Sequence, residues 1–307
     1  MALNSKTNTL YAMFWNGSNY LAVINANTNS IVTVVPGMKY GALFVNPATN
    51  VVYVGNDIIN GSSDRIIGQI GVDASIVALD VKRNLLYASN ITSVGGTNAT
   101  TTLYEINATT NAVLKSQTFP GQLLGGVVLD TNTDTLFSTD CTDAFACAPS
   151  FILAINASDL SIESKLQLNE IFFAMAFDQQ TNLIYVTALQ NLLLIINGTN
   201  NQLVAKVPVT AYSDEFSGIT IDPLSHEILL SGAPYCQGFP ECLSNTLYVL
   251  SSENYGVFAT FVSNDTMRGP VALQFDPVNN ETYMAFGYSS FILAVKVPQY
   301  HPVYLVP

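Results

Sequence analysis

The sequence predicts an all-β fold, a seven-bladed β-propeller of mostly four-stranded antiparallel blades with a short second blade. A five-residue polar hinge, which begins with Asp or Asn directly after the apolar end of a strand, recurs seven times, as expected of a repeat architecture. Short apolar runs are separated by turns rich in Asn, Gly and Thr, and no segment has a helical period. Successive hinges begin 34 to 54 residues apart, near the roughly 40–50 residues of a four-stranded blade.

Each hinge begins with Asp or Asn and precedes a strand that commonly carries Tyr. The clearest copy is Asn46-Pro47-Ala48-Thr49-Asn50 before Val51-Val52-Tyr53-Val54. The seven copies begin at Asn4, Asn46, Asp80, Asp130, Asp178, Asp222 and Asp276. Because Asp, Asn and Pro favour tight turns, each hinge should join two strands near the propeller axis. The Tyr ring can be buried between blades while its hydroxyl keeps a polar partner.

The hinges divide a single domain, residues 1–307, into seven blades, with strands a to d running from the axis outward. The expected blades are residues 1–40, 41–75, 76–125, 126–171, 172–217, 218–269 and 270–307. Only residues 64–70 follow strand b of the second blade, so a three-stranded or clipped blade is expected there. Residues 303–306, Val-Tyr-Leu-Val, are expected to form the outer strand of the last blade.

The first blade is expected to be incomplete, because only Met1-Ala2-Leu3 precedes its hinge. Unpaired strand edges are a liability that proteins usually cover. We therefore expect that a natural N-terminal extension is missing from this chain, or that the chain assembles with a partner through this blade. No signal peptide is recognisable, and the longest apolar runs are of strand length, so direct membrane insertion is not expected.

The composition excludes some classes of partner. The net charge is −12 and the pI about 4.3, which argues against nucleic acid and against adsorption to anionic lipid. Only 10% of residues are charged, and amides and hydroxyls make the surface polar instead. Such a surface stays polar at any pH and suits an acidic or otherwise harsh exterior; compositional drift is the alternative explanation.

The four cysteines form two pairs with the same spacing, Cys141–Cys147 and Cys236–Cys242. Zinc sites favour closer pairs with further ligands, and the two histidines lie in unrelated turns. Two local disulfides fit better and indicate an oxidising compartment or a hyperthermophile.

Nine Asn-x-Ser/Thr sequons lie in or beside predicted turns, as expected of a secreted protein that is glycosylated where the machinery is present. The candidate asparagines are Asn16, Asn60, Asn90, Asn98, Asn107, Asn156, Asn197, Asn264 and Asn280.

The repeated pattern resembles the YVTN β-propeller repeats of archaeal and bacterial surface-layer proteins. The closest matches are Asn46–Asn50 with Val52-Tyr53-Val54, and Thr181-Asn182 with Tyr185-Val186-Thr187. The resemblance covers nearly the whole chain, and it implies a propeller with an architectural motif and no catalytic residue to transfer. The fourth and sixth blades depart from it, with Phe137 and Leu229 in place of Tyr.

No catalytic motif is recognisable in the sequence. Asp130-x-Asn132-x-Asp134 begins like a calcium loop but lacks its later Gly and Glu. We therefore predict neither a metal site nor a cofactor. In a propeller the b–c and d–a loops share one face, where ligands usually bind, and both cysteine pairs lie in such loops. Candidate ligand residues on that face are Trp15, Tyr40, Asp140, Asp143, Glu170, Tyr212, Asp214, Glu215, Tyr235 and Glu241. The alternative is that these residues only pack within their own loops.

These observations favour a non-enzymatic, extracellular module at the cell surface or in a surface layer, with a protein or glycan partner. Two alternatives stay open. One is a lactonase-like hydrolase with a carboxylate and cation site on the loop face, and the other is a subunit of an extracellular filament or assembly. Convergent carboxylates or a metal at the mouth of the axial channel would favour the enzyme.

Overall fold

The computed structural model describes residues 1–15, 18–39, 41–92, 100–120, 122–141, 149–210, 214–234, 245–263, 270–286 and 292–296. These residues form 27 strands, grouped into seven antiparallel sheets. The predicted seven-bladed β-propeller is therefore confirmed. Among the described residues there is no apolar helix of membrane-spanning length.

The strands follow one another in chain order within each sheet. The first blade contains β1 (Ala2–Asn4), β2 (Thr9–Trp15), β3 (Asn19–Asn25) and β4 (Ser30–Pro36). The second contains β5 (Leu43–Asn46), β6 (Val51–Val54), β7 (Asp57–Asn60) and β8 (Arg65–Gln69). The third contains β9 (Ser75–Asp80), β10 (Leu85–Thr92), β11 (Thr100–Asn107) and β12 (Val113–Pro120). The fourth contains β13 (Gln122–Asp130), β14 (Thr135–Cys141), β15 (Ser150–Asn156) and β16 (Ile162–Leu168).

The remaining three blades repeat the arrangement. The fifth contains β17 (Phe172–Asp178), β18 (Leu183–Ala188), β19 (Leu192–Asn197) and β20 (Gln202–Pro208). The sixth contains β21 (Asp214–Ile221), β22 (Ile228–Pro234), β23 (Asn245–Leu250) and β24 (Val257–Ser263). The seventh contains β25 (Pro270–Asp276), β26 (Glu281–Phe286) and β27 (Ile292–Lys296). The innermost strands of successive blades adjoin, and β25 adjoins β1, so that the ring is closed.

Each pair of neighbouring blades encloses its own apolar cluster, and there are seven such clusters in the described chain. The strand-b tyrosine of a blade packs against the following blade. Tyr53 joins the cluster with the third blade, and Tyr283 joins the cluster with the first. Burial raises the pKa of Tyr53 to about 12. Phe137 and Leu229 occupy the same position in the two blades that lack Tyr.

The seven hinges adopt one backbone conformation. The fifth residue of each hinge has a positive φ, between 49° and 60°, which Asn and Asp tolerate better than most other residues. These residues are Asn8, Asn50, Asn84, Asp134, Asn182, His226 and Asn280. The first residue of each hinge accepts a hydrogen bond from a backbone N–H two or three residues on, for example from Ala48 to Asn46 at 2.9 Å. The motif residues are thus explained by turn chemistry.

Hinge side chains also link neighbouring blades on this face, which we call the hinge face because it carries the a–b and c–d turns. Asn4 Nδ2 donates to Asn50 Oδ1 at 2.7 Å, and Asn46 Nδ2 donates to Asn84 Oδ1 at 3.0 Å. His226 Nδ1 lies 2.8 Å from Asp178 Oδ2. Neighbouring blades are thus connected twice, by apolar clusters between their sheets and by polar contacts between their hinges.

The second blade is short, as predicted, and of the two forms expected it has the clipped one, with four short strands. Its strands are only four or five residues long, whereas β10 in the third blade has eight. Strands β6 and β7 are joined by a two-residue turn, Gly55-Asn56, with φ of +59° at Gly55. A positive φ at the first turn position suits glycine in a tight hairpin.

The first and seventh blades each have a partly unpaired edge within the described chain. Strand β1 pairs only with Thr9–Tyr11 of β2, so the inner strand is short, as expected. Beside β27, an apolar cleft of about 220 Å³ lies between the seventh and first blades. Leu10, Ile31 and Ile292 are among the residues that line it. The predicted outer strand, residues 303–306, lies outside the described residues.

Candidate functional site

The candidate site is a recess of about 460 Å³ between the second and third blades. It opens on the loop face, which we define as the face carrying the b–c and d–a connections. The residues that line it are Lys39, Gly55, Asn56, Asp73, Ala74, Ser75, Ser89, Asn90 and Ile91. They come from two d–a connections, the first residue of β9, the b–c turn of the second blade and the C-terminal part of β10.

The recess exists because the second blade is short. Strand β6 ends at Val54 and the chain turns back at once, whereas β10 continues to Thr92. The last residues of β10, including Ser89 and Asn90, therefore extend past the turn of the second blade. They form one wall of the recess, and Gly55-Asn56 lies at its base.

The turn at the base is held rigidly by its backbone. Gly55 N–H donates to the Ala42 carbonyl at 3.0 Å, and the Gly55 carbonyl accepts from Ile76 N–H at 3.0 Å. The Asn56 carbonyl accepts from Ile70 N–H at 3.0 Å. A Cβ atom on Gly41 would lie 2.4 Å from Gly55 Cα, so this close approach requires glycine. The backbone of Gly55 and Asn56 is consequently held by both flanking connections.

Asn56 has an unused hydrogen-bond acceptor in this setting. The residue is 8% exposed, and its Oδ1 is buried with no hydrogen-bond partner in the described chain. A buried polar atom without a partner costs about 1–3 kcal/mol. Ten buried side-chain atoms of the described residues share this property, and only Asn56 among their residues lines either of the two cavities described here.

The charged groups around the recess are few, and one of them is already engaged. Asp57, directly after the turn, accepts from Lys39 N–H at 3.2 Å through one oxygen and from Gln69 Nε2 at 2.7 Å through the other. Asn90 Nδ2 donates to the Asp73 carbonyl at 2.6 Å. The recess itself therefore offers one ammonium group, one carboxylate, two serine hydroxyls and two amides, without a large net charge.

The candidate ligand residues predicted from sequence mostly fall outside the part of the chain that can be described. Asp140 lies in β14 and is buried. Glu170 Oε1 forms a 2.8 Å ion pair with Lys206. Trp15, Asp214 and Glu215 lie in strands, but their side chains are outside the described residues. The same holds for the whole of Tyr40, Asp143, Tyr212, Tyr235 and Glu241.

The predicted disulfides also remain predictions. Cys141 ends β14, but its side chain is outside the described residues, as are Cys147, Cys236 and Cys242. Within the described chain, no group of three or more His, Cys, Asp or Glu side chains is placed to hold a metal ion.

Four sequon asparagines have a structural role of their own. Asn60, Asn107, Asn156 and Asn197 each accept a hydrogen bond from the backbone N–H two residues on, at 2.8–2.9 Å. This Asx turn explains Asn at these positions without glycosylation. Asn90 lines the recess and Asn280 lies in a hinge, whereas Asn16, Asn98 and Asn264 lie outside the described residues.

The recess was not predicted from sequence, and only Asn90 among its residues had been singled out. One signal was available, because the hinge spacing of 34 residues between Asn46 and Asp80 is the shortest in the chain. Where a blade with short strands lies next to a blade with long strands, the difference in strand length creates a depression on one face of the disc.

Comparisons with known proteins support the fold alone. The chain superposes on a structure of Kuenenia stuttgartiensis hydrazine synthase with a TM-score of 0.74 and 13% identity, covering 97% of this chain and 94% of the other. It superposes on the β-propeller domain of Myceliophteria thermophila Cps50 (Swd1) with a TM-score of 0.70 and 8% identity, covering 96% and 94%. Neither a protein-family model nor a curated protein matches the sequence.

Proposed function

We propose that the protein is a non-enzymatic, extracellular interaction module of the YVTN-repeat type, belonging to a cell surface or surface layer. The observation that carries the proposal is the difference between the two faces of the disc. On the hinge face the seven turns repeat one conformation, and their side chains bond to their own turn or to the next blade. On the loop face the connections differ between blades, and a polar recess is present.

A rigid ring with a variable face suits recognition, because function resides in sites carried by a fold and not in the fold itself. The apolar clusters and the hinge contacts hold each blade against both neighbours, so the loop face is presented on a stiff support. A protein or a glycan is the partner that we propose for this face.

The positions of the sequons are compatible with this role. Asn60, Asn107, Asn156 and Asn197 lie at c–d turns, on the hinge face and away from the recess. Glycans attached there would cover the hinge face and leave the loop face free. At Asn90 the nitrogen that would carry a glycan already donates to the Asp73 carbonyl at 2.6 Å, so a glycan would crowd this contact and we expect this sequon to be unoccupied.

The test uses protein isolated from its native host. Glycopeptide mass spectrometry should find glycans on c–d turn asparagines, and mass measurement with and without reductant should reveal two disulfides. A membrane-impermeant, amine-reactive label applied to intact cells should modify the protein, whereas a cytosolic marker stays unlabelled. Unlabelled protein with free thiols and unmodified sequons would overturn the extracellular assignment.

A further inference from the structure

We propose that copies of this chain pack edge to edge through an apolar belt on the rim of the propeller. The rim is the outer edge of the disc, formed in the described chain by the outer strands β4, β8, β12, β16, β20 and β24. The belt consists of the exposed apolar residues of these strands. This surface is distinct from the loop face, so the proposal goes beyond the function proposed above.

Exposed apolar side chains are concentrated on the rim. Sixteen large apolar residues of the described chain are exposed, and eleven of them lie in the outer strands. Single exposed apolar residues are common on protein surfaces, whereas their accumulation on one surface indicates an interaction site. The rim is therefore the part of the described surface that most needs an explanation.

A β-bulge at the same place in each outer strand exposes one residue of the belt. In β4 the register with β3 shifts so that Val32 is the extra residue between Ile31 and Thr33. Five of the six extra residues are apolar, and these five are 37–61% exposed. The extra residues of the other five outer strands are Ile67, Leu114, Glu163, Val204 and Phe258.

The fold itself does not require an apolar residue at the bulge. In the fourth blade the bulge carries Glu163, which is exposed and accepts a hydrogen bond from Asn156 Nδ2 at 2.9 Å. A polar side chain is therefore compatible with the same bulge and the same register. The apolar side chains at the other five positions expose hydrophobic surface that contact with another molecule would remove from water.

The bulges also limit the kind of partner. An extra residue disrupts the hydrogen-bonding edge of a strand, which discourages another strand or an extended peptide from pairing with it. Contact through the belt therefore relies on side chains. A flat lipid surface can touch only one arc of the rim, whereas other discs in the same plane can contact the rim on several sides.

The charges of the rim favour a second copy of this chain as the partner. The whole chain has a net charge of −12. The six outer strands together have a net charge of +3, because they contain four basic residues and one acidic residue, namely Arg65, Lys115, Lys165, Lys206 and Glu163. Two copies that meet at their rims thus bring together strands without excess acid, which reduces the repulsion between two acidic molecules.

The first and second blades offer the largest part of the belt. Ile31 and Val32 of β4 are 63% and 61% exposed, and Ile66 and Ile67 of β8 are 45% and 59% exposed. Strand β4 contains no charged residue. Because a few such side chains cover less than the roughly 800 Å² per partner of a standard interface, we expect weak association, with a Kd of about 10–100 µM.

The experiment measures self-association of the purified full chain by sedimentation velocity between about 5 and about 500 µM, concentrations that bracket the expected Kd. The weight-average sedimentation coefficient should rise with protein concentration. Ammonium sulfate should strengthen the association and moderate NaCl should not weaken it, because the contact is apolar and not ionic. Val32→Lys combined with Ile67→Lys should raise Kd about tenfold or more, because it places ammonium groups within the contact.

Leu224→Lys combined with Val278→Lys is the matched control. Leu224 and Val278 are 67% and 57% exposed, but they lie in the hinges of the sixth and seventh blades and not on the rim. This variant changes the net charge by the same amount and should associate like the parent. Thermal unfolding of every variant separates loss of association from loss of folding. If the rim variant fails to fold, Val32→Ser combined with Ile67→Ser takes its place.

Four results would overturn the proposal: a parent chain that stays monomeric over the whole concentration range, association that the rim variant leaves unchanged, equal loss of association in the rim and hinge variants, or binding of phosphatidylcholine vesicles in place of self-association. Failure here is distinguishable from failure of the proposed function. A monomeric protein can still be labelled at the cell surface and bind a partner on its loop face, whereas self-association of an unlabelled protein would contradict only the extracellular role.

Discussion

Asn50 allows the backbone and side-chain contributions of a hinge to be measured separately. Its φ is +55°, its Oδ1 accepts from Asn4 Nδ2 at 2.7 Å, and its Nδ2 donates to Ser62 Oγ at 3.1 Å. Replacement by Ala removes both hydrogen bonds and keeps a Cβ atom in the left-handed region. Replacement by Gly removes the same bonds but adopts this conformation without a steric penalty.

The magnitudes follow from these contacts. Asn4 is fully buried, so loss of its acceptor leaves an orphaned donor at a cost of about 1–3 kcal/mol. Both variants share this loss. The left-handed conformation costs a residue with a Cβ about 1–2 kcal/mol. Glycine avoids this steric cost, but it loses more conformational entropy on folding, which offsets part of the difference. We expect Asn50→Ala to be less stable than Asn50→Gly by about 1 kcal/mol.

Differential scanning calorimetry can detect the difference. For a chain of this size, 1 kcal/mol shifts Tm by about 2 °C. Thr49→Ala is the control, because Thr49 is an exposed residue of the same hinge and its replacement should change stability by less than about 0.5 kcal/mol. Equal losses for Asn50→Ala and Asn50→Gly, or a larger loss for Gly, would refute the idea that positive φ selects Asn at this hinge position.

Three further predictions concern closure of the ring and its pH dependence. Tyr283→Phe removes the hydroxyl that donates to the Ala26 carbonyl across the closing interface at 3.2 Å, and it should lower the free energy of unfolding by about 1 kcal/mol in a denaturant titration. Burial opposes ionisation of Asp178, but hydrogen bonds from its own turn and from His226 outweigh this and hold its pKa below the usual value. The resulting stabilisation is complete above the ordinary carboxyl pKa of about 3.9 and is lost as the pH falls through the lowered folded-state pKa. Because Asn cannot ionise, Asp178→Asn should flatten the dependence of Tm on pH below about 4. Replacing residues 303–306 by serine should uncover the apolar cleft beside β27, lower Tm and increase binding of a hydrophobic dye, if these residues supply the outer strand.

Each of these predictions has a matched comparison. Tyr20→Phe should leave stability nearly unchanged, because the hydroxyl of Tyr20 takes part in no hydrogen bond found in the described chain. A loss of stability equal to that of Tyr283→Phe would contradict the role given to the hydrogen bond between Tyr283 and the Ala26 carbonyl. Asp159 is exposed to solvent, so Asp159→Asn should change the dependence of Tm on pH below about 4 less than Asp178→Asn does. Equal changes would contradict the claim that the hinge contacts of Asp178 cause this dependence. Val32→Ser changes an outward-facing residue that is 61% exposed, and it should bind no additional dye.

The hinges made the fold predictable because their chemistry is local. An Asx turn and a left-handed residue are both encoded within six residues, and seven copies fix the number of blades. Packing of Tyr53 and Tyr283 against the following blade was predictable for the same reason. The sequence could not decide between a three-stranded and a clipped second blade, because Asp57–Asn60 is a short run that resembles a turn until its pairing with Val51–Val54 is seen.

The recess could not be predicted in the same way, because it depends on a difference between two neighbouring blades. Asn56 and Ser89 are far apart in sequence, and neither belongs to a motif. The sequence search favoured long loops with aromatic and acidic residues on the loop face. The recess found in the described chain instead lies beside the shortest b–c turn, since a two-residue turn leaves space that a longer loop would fill.

Turn asparagines in this chain differ in how their carboxamide oxygens are used, and the difference does not follow the two faces: the oxygens of Asn8 and Asn182 on the hinge face are also buried without a partner in the described chain. On the hinge face, the carboxamide oxygens of Asn46 and Asn50 are bonded within the turn or to the next blade, and they have little capacity left for a ligand. At the base of the recess the Asn56 oxygen is equally well buried but unpartnered. The backbone of the Gly55-Asn56 turn is bonded to Ala42, Ile76 and Ile70.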